Sequence, residues 1–361
     1  MISFFVKADF EKGECQMEDY SNIKWIKVTP ESVDLYNMDE NFKRLPDDVI
    51  DNINDIGKIA AKYSAGGRAR FSTNSNTIVI HAKMSLHWDM GFDLYRVDEK
   101  TGKEYFAAGY RDTFFGVHEG EFYARFGEGR VQNGNDERYY TLNFPCFAFV
   151  EYVEIGIQKD ATFGSGLPYK NEKPIVFYGS SITNGGLASR PGMAYTSLIS
   201  QKYGLDYLNL GLSGGAKGDE AMVEYMANLD MSCFVCDYDH NAYEEGQLEA
   251  THLPMYKKIR EKHPDIPYII ISKPDCFKDF EDSRKRFEVI KKTYDYAVEN
   301  GDKNVYLIDG STLFEGEYYT ACTFDGCHPN DVGFMRMADK IGKVIAEALG
   351  LTEEKAHDLY L

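Results

Sequence analysis

From residue 174 onward, short apolar runs of β type alternate with runs of helical period. "PIVFYG" (174–179), "LDYLNLGLSG" (205–214), "MSCFVCDYD" (231–239), "PYIIISKP" (267–274) and "NVYLID" (304–309) read as strands. Between and after them, "AYTSLISQKYG" (ending on Gly204), "GDEAMVEYMANL", residues 247–262, residues 280–300 and residues 331–349 read as helices. Strands that alternate with helices predict a parallel sheet covered on both faces. Such sheets bind ligands at the carboxyl ends of their strands, so the residues after each strand are the ones to inspect.

The first half has a different period. It is irregular to about residue 65, with one helix-like stretch at 46–62 ("PDDVIDNINDIGKIAAK"). Then come "RARFSTNS", "TIVIHAKMS", "GFDLYRVD", "EYFAAGY", "EGEFYARF", "RYYTLNFP" and "AFVEYVEIGIQ", short and often alternating, separated by Gly, Asn and Asp. That pattern predicts an antiparallel β-sandwich or jelly roll. "ATFGSGLPYKNEKP" (161–174) reads as a linker. A chain of 361 residues has room for two domains, placed here at 1–165 and 172–361. There is no internal repeat.

Composition narrows the function classes. The net charge is −18 and no basic stripe is visible, which argues against a nucleic-acid partner. The 26 Tyr and 23 Phe suit β structure and core packing, and aromatics are also common on sugar-binding surfaces. No stretch approaches 18 apolar residues, so no membrane span is expected. "MISFFVKADFEKGEC" lacks a basic segment followed by a long apolar one, so a cytoplasmic location is expected. The seven cysteines then read as free thiols. The CxxC of Cys233 and Cys236 lies inside a strand-like run, which suits buried small hydrophobes better than a redox or zinc site.

The first strand is followed by "GSSITNGG" (179–186). No Lys stands where a phosphate-binding loop needs one. A serine at a tight strand-to-helix turn can present its hydroxyl and its own N–H to a substrate, although an ordinary Ser-rich turn looks the same. The second strand leads into "LSGGAKGD", where Gly214 and Gly215 let backbone N–H groups approach a ligand, or simply turn the chain. After the third, "CDYDHNAY" offers the amide of Asn241 to a developing negative charge; Asp237, Asp239 and His240 beside it read as structural hydrogen-bonding groups. Before the last helix, Asp325 and His328 are spaced so that the carboxylate can orient the imidazole.

Ser, Gly, Asn and His in that order after successive strands resemble the SGNH hydrolases, the GDSL-like esterases. Their first block appears as Gly179-Ser180-Ser181-Ile182-Thr183, and the second as "NLGLSGG". The third, normally GxND, reads Asp239-His240-Asn241-Ala242 and keeps only the Asn; the DxxH block is Asp325-Gly326-Cys327-His328. The resemblance covers about 172–350. Gly91-Phe92-Asp93-Leu94-Tyr95 is similar to the GxDLY signature of β domains that precede one branch of these enzymes.

The resemblance implies a three-layer α/β/α, flavodoxin-like hydrolase domain behind a jelly roll. It implies Ser181 as nucleophile, His328 as base oriented by Asp325, and an oxyanion hole from Ser181, Gly214 and Asn241. No metal or organic cofactor is implied. Several related two-domain enzymes resemble carbohydrate esterases that remove acetyl groups from plant polysaccharides and their oligomers, so the expected partner is an acetylated xylan or mannan oligosaccharide. Arg190 and Trp88 are candidate substrate contacts, with a surface arginine and a core tryptophan as the plainer alternatives. An exposed β half is compatible with a homodimer. The rival readings are a lipase or thioesterase on the same scaffold and a non-catalytic glycan-binding protein.

Overall fold

A computed structural model describes residues 8–9, 14–15, 20–86, 91–109, 118–126, 136–274 and 279–351. In the N-terminal half, β1 (Ala8–Asp9) pairs with β2 (Glu14–Cys15). Next come β3 (Ile23–Lys27), β4 (Asp34–Tyr36), α1 (Asp47–Asp51) and α2 (Asp55–Ala60). The remaining strands are β5 (Arg68–Thr73), β6 (Ile78–Leu86), β7 (Asp93–Val97), β8 (Glu104–Gly109), β9 (His118–Phe126), β10 (Arg138–Asn143), β11 (Ala148–Gln158) and β12 (Gly164–Ser165). They form two antiparallel sheets. One has the order β12-β5-β10-β7-β8, with β4 also on β5, and the other β3-β11-β6-β9. Alternate residues of both meet in one core: Phe71, Leu94, Tyr140 and Leu142 from the first, Ile78, Ile80, Val153 and Ile155 from the second.

Three details depart from the sequence reading. The stretch before residue 65, expected to be irregular, holds β3 and β4, which are too short to carry a period. The helix-like stretch at 46–62 is two helices, because Asn54 breaks it and caps the second, accepting from Gly57 N at 3.0 Å. The segment expected to be a linker contributes β12 to the first sheet.

The C-terminal half follows the expected order. Its strands are β13 (Ile175–Gly179), β14 (Tyr207–Gly211), β15 (Cys233–Asp237), β16 (Tyr268–Ile271) and β17 (Val305–Ile308). They form a parallel sheet of order β14-β13-β15-β16-β17, the flavodoxin-like arrangement. The helices are α3 (Ser181–Asn184), α4 (Tyr195–Tyr203), α5 (Glu220–Ala227), α6 (Gln247–Lys262), α7 (Phe280–Glu299) and α8 (Asp331–Ala348). Along β13 successive side chains enter opposite cores. Val176 and Tyr178 pack with Met222 of α5, Met255 of α6 and Ile290 of α7, whereas Ile175 and Phe177 pack with Ile199 of α4 and Ile341 of α8. Cys233 and Cys236 are fully buried in β15, and burial pushes both thiols well above their ordinary range.

The outer edge of β14 is closed by side chains of the N-terminal half. Arg68 Nη2 donates to Tyr207 O (3.0 Å) and Asn209 N donates to Asn37 Oδ1 (3.0 Å). Arg44 Nη1 donates to the carbonyls of Asn209 (2.8 Å) and Gly211 (3.1 Å). Among the described residues, no helix is long and apolar enough to cross a membrane.

Candidate active site

The site starts where β13 ends. A Cβ on Gly179 would collide with Thr183 Oγ1 and Asp237 O, so the strand must leave the sheet through a glycine. Ser180 then caps α3, its Oγ accepting from Ile182 N at 3.1 Å. Ser181 is the first helical residue. The helix stops after one turn at Gly185, which has φ +104°.

Ser181 Oγ lies 2.8 Å from His328 Nε2, and His328 Nδ1 lies 2.8 Å from Asp325 Oδ2. Asp325 Oδ1 also accepts from the backbone N–H of His328 (2.7 Å) and Cys327 (2.9 Å). Partial burial would raise the Asp325 pKa. The bonds from the His328 ring and from these two N–H groups outweigh it and hold the carboxyl at about 2. An ionised Asp325 accepts a hydrogen bond from Nδ1–H, which keeps the proton on that nitrogen and leaves Nε2 as an acceptor facing the Ser181 hydroxyl. The loop is fixed by the Thr323–Pro329 bridge, by Phe324 N donating to His328 O (2.9 Å), and by Asn330, which caps α8.

Gly214 and Asn241 follow the strands on either side of β13. Leu212 N donates to Gly179 O at 2.9 Å, which sets the start of the glycine loop, and Gly214 then takes φ +79°. Asn241 Oδ1 accepts from Ala216 N (3.4 Å), which fixes the sense of the amide. Its Nδ2 and the N–H groups of Ser181 and Gly214 have no hydrogen-bond partner among the described residues. The Asn241 turn is itself held by Arg286, whose Nη1 donates to Asp239 O (2.8 Å) and Ala242 O (2.7 Å). The N-terminal half backs the glycine loop: Asn54 Nδ2 donates to Gly215 O (2.8 Å), and Ile56 stands 3.2 Å from where a Gly214 Cβ would be.

Asp237, at the end of β15, and Asp239, in the third block, lie outside the Ser181–His328–Asp325 chain. Asp237 Oδ2 accepts from Tyr195 OH (3.0 Å) and Thr183 Oγ1 (3.2 Å), and Asp239 Oδ2 from Lys273 N (3.1 Å). Burial, with a smaller push from Asp239, raises the Asp237 carboxyl to about 7. His240, between Asp239 and Asn241, is also outside that chain. Arg190 faces the N-terminal half: its guanidinium bonds Asp93 and Tyr95 and lies 4.1 Å from the Phe106 ring centroid. Trp88 lies outside the described residues. No group of three or more His, Cys, Asp or Glu among the described residues is placed to hold a metal ion.

Sequence reasoning missed Arg286, Asn54 and Ile56. Each reaches the site across a long sequence separation, and nothing local marks it.

Two family models match the chain. The GDSL-like lipase/acylhydrolase family matches residues 172–346, and the N-terminus of SGNH-hydrolase-type esterases matches residues 20–163. No curated protein sequence matches. Among solved structures, a GDSL-like protein from Bacteroides ovatus is 27% identical, with a TM-score of 0.81, 92% of this chain and 100% of that one being covered. A family two carbohydrate esterase from Clostridium thermocellum, solved with cellohexaose, is 14% identical with a TM-score of 0.58, covering 79% of this chain and 93% of its own. An acetyl xylan esterase from Butyrivibrio proteoclasticus is 12% identical with a TM-score of 0.54, covering 91% and 99%. The last two share the fold. Both halves of the sequence thus fall within one enzyme class: the chain belongs to the SGNH (GDSL-like) hydrolases that carry an N-terminal GxDLY domain, and it is a carboxylester hydrolase.

Proposed function

We propose that the chain is a serine esterase that removes O-acetyl groups from plant-type oligosaccharides such as acetylated xylan or mannan fragments. The observation that carries the reading is the unbroken Ser181–His328–Asp325 chain, with both links at 2.8 Å.

In this mechanism His328 Nε2 takes the Ser181 proton as Oγ attacks the ester carbonyl. Asp325 holds the imidazole and stabilises the imidazolium. The oxyanion is met by the N–H groups of Ser181 and Gly214 and by Asn241 Nδ2, each donor worth about 10²–10³ in rate. His328 then returns its proton to the leaving sugar oxygen. Water, deprotonated by the same His328, releases acetate and restores Ser181.

The sugar preference is supported by two exposed aromatics in the segment before Asp325. Tyr318 and Phe324 are 76% and 77% exposed on the loop that leads to Asp325, where an apolar sugar face can cover them. An esterase for other acyl groups is the second reading, favoured by the likeness to the GDSL-like protein and by the exposed Ile56 and Ile59 on α2.

The test is acetate release from acetylated xylo- and manno-oligosaccharides by wild type and Ser181→Ala, beside short- and long-chain model esters. Release by wild type alone supports the proposal. Turnover of long-chain esters without acetate release moves it to the second reading. Equal release by both proteins removes Ser181 as nucleophile.

A further inference from the structure

The segment between the serine turn and α4 is anchored on two sides. Toward the N-terminal half, the fully buried Asp93 accepts from Gly192 N (2.8 Å), Asn143 Nδ2 (2.8 Å) and Arg190 Nη1 (3.3 Å). Tyr95 OH accepts from Arg190, and a Cβ on Gly192 would collide with the Tyr95 ring. Asp93 and Tyr95 are two letters of the GxDLY stretch. Toward the histidine loop, Ser189 donates through its N (2.8 Å) and its Oγ (2.5 Å) to the two carboxylate oxygens of Asp331. Asp331 opens α8 three residues after His328. In the same segment, a Cβ on Gly186 would stand 3.3 Å from His328 Cδ2. Hydrogen bonds joined by two short stretches of backbone, 189–192 and 328–331, therefore link Asp93 to His328.

We propose that Asp93 and Tyr95 are positioning residues for His328, acting through residues 186–192 and Asp331. This rests on the reading of Ser181 as nucleophile and His328 as base. Burial pushes the Asp93 carboxyl up to about 6, against Asn143, Arg190 and Gly192, so at neutral pH the fold keeps a charge there that burial opposes. The reward is a fixed segment. Misplacing a reacting group by about 1 Å costs about 10²-fold in rate, so a slackened anchor is read in kcat.

The experiment uses the full chain and p-nitrophenyl acetate. Tyr95→Phe deletes one hydroxyl and Ser189→Ala another, at opposite ends of the path, and both changes are small enough to leave the fold intact. Each is expected to lower kcat by about 5- to 30-fold with KM within about twofold. Because both act through one path, the double variant should be no worse than about twice the stronger single. Ser189→Thr, which keeps the hydroxyl, should restore most of the rate. A kcat within twofold of wild type in both single variants, or effects that multiply fully, overturns the proposal; so does a loss carried entirely by KM. Ser181→Ala is run in parallel. If it is inactive while the anchor variants are at full rate, only the positioning role falls. If it keeps its activity, the serine-esterase reading falls and this proposal with it.

Discussion

Asp325 receives two hydrogen bonds from a single residue: one from the ring Nδ1 of His328 at 2.8 Å and one from its backbone N–H at 2.7 Å. The carboxylate therefore fixes both the tautomer of the imidazole and the turn that carries it. Asp325→Asn would turn an amide N–H toward Nδ1 or leave that nitrogen without its acceptor. We expect kcat to fall about 10³–10⁴-fold with KM little changed, as read from initial rates of acetyl-ester hydrolysis.

In the proposed mechanism Asn241 Nδ2, which has no hydrogen-bond partner among the described residues, donates to the oxyanion. Asn241→Ala is expected to lower kcat about 10²–10³-fold. Among the described residues the side chain makes one hydrogen bond, to Ala216, so the melting temperature should shift by only a few degrees. Steady-state kinetics and a thermal melt on the same sample check both parts.

Arg286 grips the carbonyls on either side of Asn241 with one nitrogen while its Nε donates to Asp282 at 2.7 Å. A lysine cannot serve these directions at once, because it lacks the planar fork. Arg286→Lys should lower kcat about tenfold, and in an Asn241→Ala background the same change should cost little further rate. A double-mutant cycle measures that coupling.

Asp237 makes stability depend on pH. Burial first, then the Asp239 charge, raises its carboxyl from 3.8 to about 7 in the folded state. A carboxyl raised on folding contributes stability that is complete below the unfolded value and is lost as pH rises through the folded one. The loss therefore falls between about pH 4 and 7 and is of the order of a few kcal/mol. Asp237→Asn still offers an acceptor to Tyr195 and Thr183 but does not titrate. Its melting temperature relative to wild type should rise by a few degrees between pH 5 and pH 8, as followed by thermal unfolding at both values.

How much of this was legible in the sequence depends on distance along the chain. The five strands of the parallel sheet are buried on both faces, so each is a compact apolar run that needs no partner to be seen. Asp325 and His328 are three residues apart, and their contact is local. Asn241 was visible as a residue type, but the Ala216 bond that orients its amide was not. From the sequence, Arg190 reads as a substrate contact or a plain surface residue. Its partners Asp93 and Tyr95 lie nearly a hundred residues earlier, and no local pattern reports them. β3 and β4 escaped because five and three residues are too few to establish a period.

The side chains of Asn37, Arg44 and Arg68 occupy hydrogen-bonding groups of β14 that a neighbouring strand would otherwise take. An uncovered strand edge is a template for another chain. The α/β half cut away from its β partner would thus lose more than a neighbour: it would expose an adhesive border and polymerise along it. For this architecture the sandwich is a built-in chaperone for the sheet, and trimming the enzyme to a minimal catalytic unit would trade size for aggregation.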